Sequence, residues 1–105
     1  MSEARVSIDA LGTIIAFDGA AEEMFGHRAP DVIGAPMVEV IIPEPLRPMH
    51  LDGMARFLRT GEAFLIGRTV EVMALHAGGL MFPATLSLVL ESDDPLVITG
   101  SLQRA

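Results

Sequence analysis

His50, Met54 and Phe57 are spaced i, i+4 and i+7, and they carry the most usable chemistry in this chain. On a helix of 3.6 residues per turn they share one face, so an imidazole would stand beside apolar side chains. Such a pairing suits a polar contact to a small ligand, or one nitrogen ligand for a metal. Arg68 is the second residue of interest. In a strand it would share a face with Val70 and Val72, where it would either meet a carboxylate ligand or pair with a side chain such as Glu71.

The remaining chemistry-bearing residues have ordinary readings. His27 follows the helix-ending Gly26 and His76 precedes the turn Ala77-Gly78-Gly79, so both read as surface histidines. Glu22 and Glu23 are adjacent, point about 100° apart on a helix, and suit its N-terminal dipole. Asp93-Asp94-Pro95 lacks the spaced oxygen ligands of a calcium loop. Gly78-Gly79 sits in a hairpin and leads into no helix, so it forms no phosphate cradle. No nucleophile with a base beside it is evident, and the chain is not read as an enzyme.

Composition narrows the function further. The 105 residues include no cysteine, which excludes disulfides, thiolate zinc sites, a cysteine nucleophile and a cysteinyl flavin photoadduct. Net charge is −7, with seven basic residues that are all arginine, so repulsion from phosphate backbones argues against nucleic acid. All five aromatic residues are Phe. No apolar run reaches the roughly 18 residues of a membrane span, and no basic-then-apolar leader opens the sequence, so a soluble cytoplasmic domain is expected.

The elements that must position these residues follow from local signals. Residues 5–9 and 13–17 read as strands joined by the turn Ala10-Leu11-Gly12. Asp18 is placed to cap a helix over residues 19–25 that Gly26 ends. Pro30, Gly34 and Pro36 break the chain, and residues 37–42 read as a one-turn helix and linker. Pro48 starts the main helix, from near Arg47 to near Thr60, and Gly61 ends it. Residues 63–76 read as one long strand and 81–91 as a second, with Ala84, Leu86 and Leu88 on one side. Residues 96–102 make a third, after a turn at residues 92–95. The expected class is α+β: a single domain over 1–105 with a five-stranded antiparallel sheet and helices packed on one face.

Ala20-Ala21-Glu22-Glu23-Met24-Phe25-Gly26, Val32-Ile33-Gly34, Ile41-Ile42-Pro43, His50, Thr60-Gly61-Glu62, Gly67-Arg68, Phe82-Pro83 and Leu86-Ser87-Leu88 occur in the order of a PAS sensor domain, which the chain resembles over nearly its whole length. The resemblance implies a sensory module of bacterial signalling with a small ligand or cofactor held between sheet and long helix. It also implies a homodimer and an effector domain, such as a histidine kinase, outside this chain. The nearest pattern is that of haem-containing oxygen sensors. By that likeness His50 matches the iron ligand and Arg56 an arginine near the propionates, while Leu65, Leu86 and Leu88 match the aliphatic residues above the iron. Val70 stands where those sensors carry an arginine toward bound oxygen, and Phe64 where they carry a polar residue. The cofactor is left unassigned: haem b with His50 as axial ligand is one candidate, and a ligand-free dimerisation or interaction module is the other alternative. The expected pocket residues are His50, Met54, Arg56, Phe57, Leu65, Arg68, Val70, Leu86 and Leu88.

Overall fold

Two carboxylates organise the N-terminal third of the chain. Asp9 Oδ1 accepts from the backbone N–H groups of Leu11 (2.9 Å) and Thr13 (3.0 Å), closing the turn between strand β1 (Ala4–Ile8) and strand β2 (Ile14–Phe17). Asp18 Oδ1 caps helix α1 (Gly19–Phe25) by accepting from Ala21 N at 2.8 Å, and it also accepts from Arg5 N at 3.1 Å. One side chain thus satisfies a free helix donor and ties α1 to β1. The helix ends at Gly26, in the left-handed region at φ 75°, whose N–H bonds to Glu22 O. The computed structural model describes residues 3–61 and 66–105.

Helix α2 (Ala29–Val32) occupies a stretch whose prolines and glycine read as a break. Pro30 lies in its first turn, where a missing N–H is harmless, and Glu22 Oε2 accepts from Ala29 N at 2.7 Å. Its cap therefore comes from seven residues upstream. The following loop bonds to β2 through Gly34 N to Ile14 O and Ile14 N to Ala35 O, which covers that edge of the sheet. Helix α3 (Met37–Ile41) and a 3-10 helix (Glu44–Leu46) lead into helix α4 (Arg47–Thr60), whose ends at Pro48 and Gly61 are those expected. Arg47 Nε donates to Ile42 O at 3.0 Å across the bend.

The second half is a meander of strands β3 (Thr69–Leu75), β4 (Met81–Asp93) and β5 (Leu96–Arg104). The expected long strand over 63–76 is shorter: residues 62–65 lie outside the described part, and Ile66 makes a parallel bridge to Leu88 while β3 runs antiparallel to β4. The chain must turn between them, and Gly67 at φ 84° takes that turn, its N–H bonding to Leu88 O. The strand order is β2-β1-β5-β4-β3, all neighbours antiparallel.

Helices cover one face. The core sits under α1, α2 and α3, where the Phe25 ring meets those of Phe17 and Phe82 at a tilt, with Ala4, Val6, Ile14 and Ala84 in the same cluster. Helix α4 contributes no buried residue to it.

Candidate functional site

Strand alternation decides which side chains reach the helix side of the sheet. On β3 these are Val70, Val72 and Ala74; on β4 Phe82, Ala84, Leu86 and Leu88; on β5 Ile98, Gly100 and Leu102. Register sets Val70 beside Leu86 and Leu86 beside Leu102, with Leu88 beside Gly100. The wall is entirely apolar. Its end toward Phe82 is buried beneath α1, whereas Val70, Val72 and Leu88 at the other end are only half-buried.

Gly100 was not anticipated as part of this wall, yet it shapes it. A Cβ there would come within 3.1 Å of Leu86 Cδ1 and 3.5 Å of Leu88 Cδ2, so both leucines lean over a floor that only glycine leaves clear. A glycine inside a strand, here directly after the β-branched run Val97-Ile98-Thr99, is the sequence signal for such a close approach.

The period of helix α4 sorts its residues by exposure. His50, Met54 and Phe57 are half-buried, and Leu51, Ala55 and Leu58 beside them are exposed. The helix packs mainly on α3 and the 3-10 helix, and α3 in turn packs on β3. Desolvation lowers the His50 pKa from its ordinary value, so the imidazole is neutral at pH 7, and among the described residues neither ring nitrogen has a hydrogen-bond partner. A neutral imidazole without a protein partner is free to bond to, or ligate, a guest.

The lowered pKa gives a pH dependence with a definite sign. The unfolded chain binds a proton at His50 near pH 6.5, while the folded chain binds it only at lower pH, so folding loses stability as pH falls below about 6.5. Above that value the histidine contributes no slope. The gap in melting temperature between His50→Gln and the parent chain is therefore expected to move in favour of the variant between pH 7.5 and 5.5. Thermal melts at the two pH values check this, and an unchanged gap would count against burial of a neutral ring.

The other expected pocket residues divide. Val70, Leu86 and Leu88 are together on the wall, and Met54 and Phe57 lie on the His50 face of α4. Arg56 is exposed and, six residues after His50, points roughly 120° away from it, so the helix carries it off that face. Arg68 is exposed just before β3 begins, and Leu65 and Phe64 lie outside the described residues. His27 is half-buried. His76, expected at the surface, is also half-buried: its Nδ1 accepts from Gly78 N at 2.9 Å and its ring lies against Gly26. It is a structural joint between α1 and the β3–β4 hairpin.

Elsewhere the structure offers little chemistry. Among the described residues no three His, Cys, Asp or Glu side chains gather where they could hold a metal ion, and no helix is long and apolar enough to cross a membrane. Two surface cavities of about 620 Å³ lie beside Glu22, Glu23, His27 and Arg28, and on the outer sheet face beside Arg5, Asp18, Glu91 and Thr99. Neither is lined by a residue of α4 or of the apolar wall. The first is lined mainly by polar and charged residues, whereas the second also carries Ala16, Phe17 and Val97; the α4 side is a candidate on the strength of its own half-covered apolar residues.

Comparison with known proteins agrees with the architecture. A family model described as PAS fold matches residues 1–104. An uncharacterized protein of Azorhizobium caulinodans is 45% identical over 86 residues, 82% of this chain and 12% of that protein. The sensor protein FixL of Bradyrhizobium diazoefficiens is 34% identical over 86 residues, again 82% of this chain but 17% of the relative. The chain thus spans under a fifth of either relative. Among solved structures, the PAS domain of the quorum-sensing receptor RpfR from Cronobacter turicensis, in complex with BDSF, superposes with a TM-score of 0.74 at 17% identity, covering 99% of this chain and 94% of that one. That identity speaks for the fold alone.

Proposed function

The chain belongs to the PAS family, and from that premise we propose that it is the sensory module of a bacterial signal-transduction protein, binding a small ligand between the apolar wall and α4 around His50. The observation that carries this reading is the half-covered apolar surface on α4 and on the wall. None of the 14 residues of α4 is buried, His50, Met54 and Phe57 are only half-covered, and Val70, Val72 and Leu88 are half-covered as well. Leaving such apolar surfaces in water is unfavourable by about 25 cal/mol per Å², so a guest with an apolar body would gain by covering both. His50 would supply a polar contact to that guest. The output would come from other parts of a longer protein, as the span of this chain within its relatives suggests.

A second reading takes the ligand to be haem b, and the state of His50 favours it. An axial histidine must be neutral with a free nitrogen on a rigid element, which desolvation and the helix provide. Val70, Leu86 and Leu88 would form the apolar side, and the exposed Arg68 at the start of β3 is the nearer cation to the wall in sequence. Bound there, haem would supply an iron that answers to redox state or to a diatomic gas.

Absorbance and native mass spectrometry of the purified protein, before and after addition of haemin, test both readings. Haem binding predicts a Soret band that His50→Ala abolishes without lowering the melting temperature by more than a few degrees. A non-haem ligand predicts no Soret band but a co-purified mass, or a thermal shift with apolar acids, that Phe57→Ala removes. Neither band, mass nor shift would overturn ligand binding and leave an interaction module.

A further inference from the structure

The side of α4 next to the His50 face has a pattern of its own. Leu51, Ala55 and Leu58 recur at i, i+4 and i+7, and all three are exposed, the leucines at 55% and 51%. Scattered exposed leucines are unremarkable, but two of them bracketing a small residue at helical period make a straight seam of roughly 10 Å. One flank of the seam carries the helix charges, Asp52 toward the N-terminal end and Arg56 and Arg59 toward the C-terminal end. Among the described residues none of these three has an ion pair within its own chain.

We propose that this seam docks a second copy of the chain, the two α4 helices packing antiparallel across a two-fold axis close to Ala55. Charge order selects both the occupant and the direction. In an antiparallel two-fold pair each flank meets the same flank of the other copy, reversed, so Asp52 lies against Arg56 and Arg59 of the second copy, twice over. Leu51 then packs against Leu58 of the second copy, and Ala55 lets the helices approach. A parallel pair would set the charged flank against the side that faces the protein interior, leaving all three charges without partners. Antiparallel helix dipoles add to the preference. The seam is short against the roughly 800 Å² per partner of a stable interface, so the dimer is a reversible one that forms at high protein concentration. The proposal is independent of what α4 covers on its other side.

A chain without cysteine makes the geometry directly readable. Under mild oxidation Ala55→Cys is expected to link to itself at least about ten-fold faster than Ala16→Cys, an exposed outer-face control, because the seam raises the local concentration of the paired thiols. Leu51→Cys and Leu58→Cys should each resist self-linking, yet link to one another when mixed. Sedimentation should show a concentration-dependent dimer that Leu58→Glu or Asp52→Arg weakens and that Asp52→Arg with Arg56→Asp and Arg59→Asp restores. All these residues are exposed, so unchanged melting temperatures will show the variants folded. A monomer at every concentration overturns the proposal and assigns the seam to another partner. A dimer indifferent to Leu58→Glu, or Leu51→Cys that links to itself, overturns it as well, placing the contact elsewhere or parallel.

Discussion

Replacing Phe25 by alanine is expected to cost the domain about 3–5 kcal/mol, the range for truncating a buried phenylalanine. The ring is fully buried and lies between two others, with centroids 6.0 Å from Phe17 and 5.9 Å from Phe82, tilted at 43° and 40°. It joins β2, α1 and β4. Deleting it leaves Phe17 and Phe82 facing a cavity, and Phe82 is further held by Arg104, whose guanidinium carbon stands 4.0 Å over its ring while Nη2 reaches Met24 O at 3.4 Å. The surroundings are therefore poorly able to collapse inward. A chain of this length has about 5–15 kcal/mol of stability in all, and each kcal/mol moves the midpoint by about 4–8 °C, so the melting temperature should fall by at least about 12 °C. Phe25→Leu should lose less, because leucine refills much of the space that alanine leaves empty, while the two ring pairs, about 0.5–1.5 kcal/mol each, are lost in either variant. Thermal melts followed by circular dichroism decide the point. An alanine variant melting within a few degrees of the parent would mean that the aromatic line is not the keystone of the core.

Much of this architecture is written in local sequence, and what is not has an identifiable cause. Asp18, Gly26, Pro48 and Gly61 act on backbone groups within a few residues, so the ends of α1 and α4 are legible. The face of α4 is legible too, since His50, Met54 and Phe57 follow helix period and are its half-buried residues together with Arg47. Helix α2 was hidden because the acceptor for Ala29 N is a side chain on another helix. The strand over 63–76 was overextended because apolar residues continue through Gly67, where the backbone turns. Arg56 was placed at the pocket by its match in related sequences, whereas the helix phase alone points it elsewhere. Gly100 went unused because a missing side chain matters only once Leu86 and Leu88 are seen to lean across it. His76 was misplaced for the same kind of reason: its neighbour Gly26 is 50 residues away in the chain and becomes one only when the hairpin meets the end of α1.

That last contact yields the second large effect. Gly26→Ala is expected to destabilise the domain by about 2–5 kcal/mol, from two separable causes: about 1–2 kcal/mol for a side chain in the left-handed region and about 1–3 kcal/mol for forced overlap. The overlap is specific, since a Cβ at Gly26 would lie 2.5 Å from both Cε1 and Nε2 of His76. The ring cannot swing aside cheaply, because its Nδ1 holds Gly78 N at 2.9 Å and the same turn is tied to α1 by Ala77 N donating to Phe25 O at 2.8 Å. Moving it breaks the joint between helix and hairpin. His76→Ala alone should lose roughly 1 kcal/mol, the worth of one such hydrogen bond. In the Gly26→Ala background the same substitution should instead recover stability, because the overlap is removed and only the backbone strain persists. The double-mutant cycle in urea thus predicts a coupling of about 1–3 kcal/mol favouring the pair. Additive losses would show that the penalty at Gly26 is backbone strain alone and that His76 does not lock α1 to the hairpin.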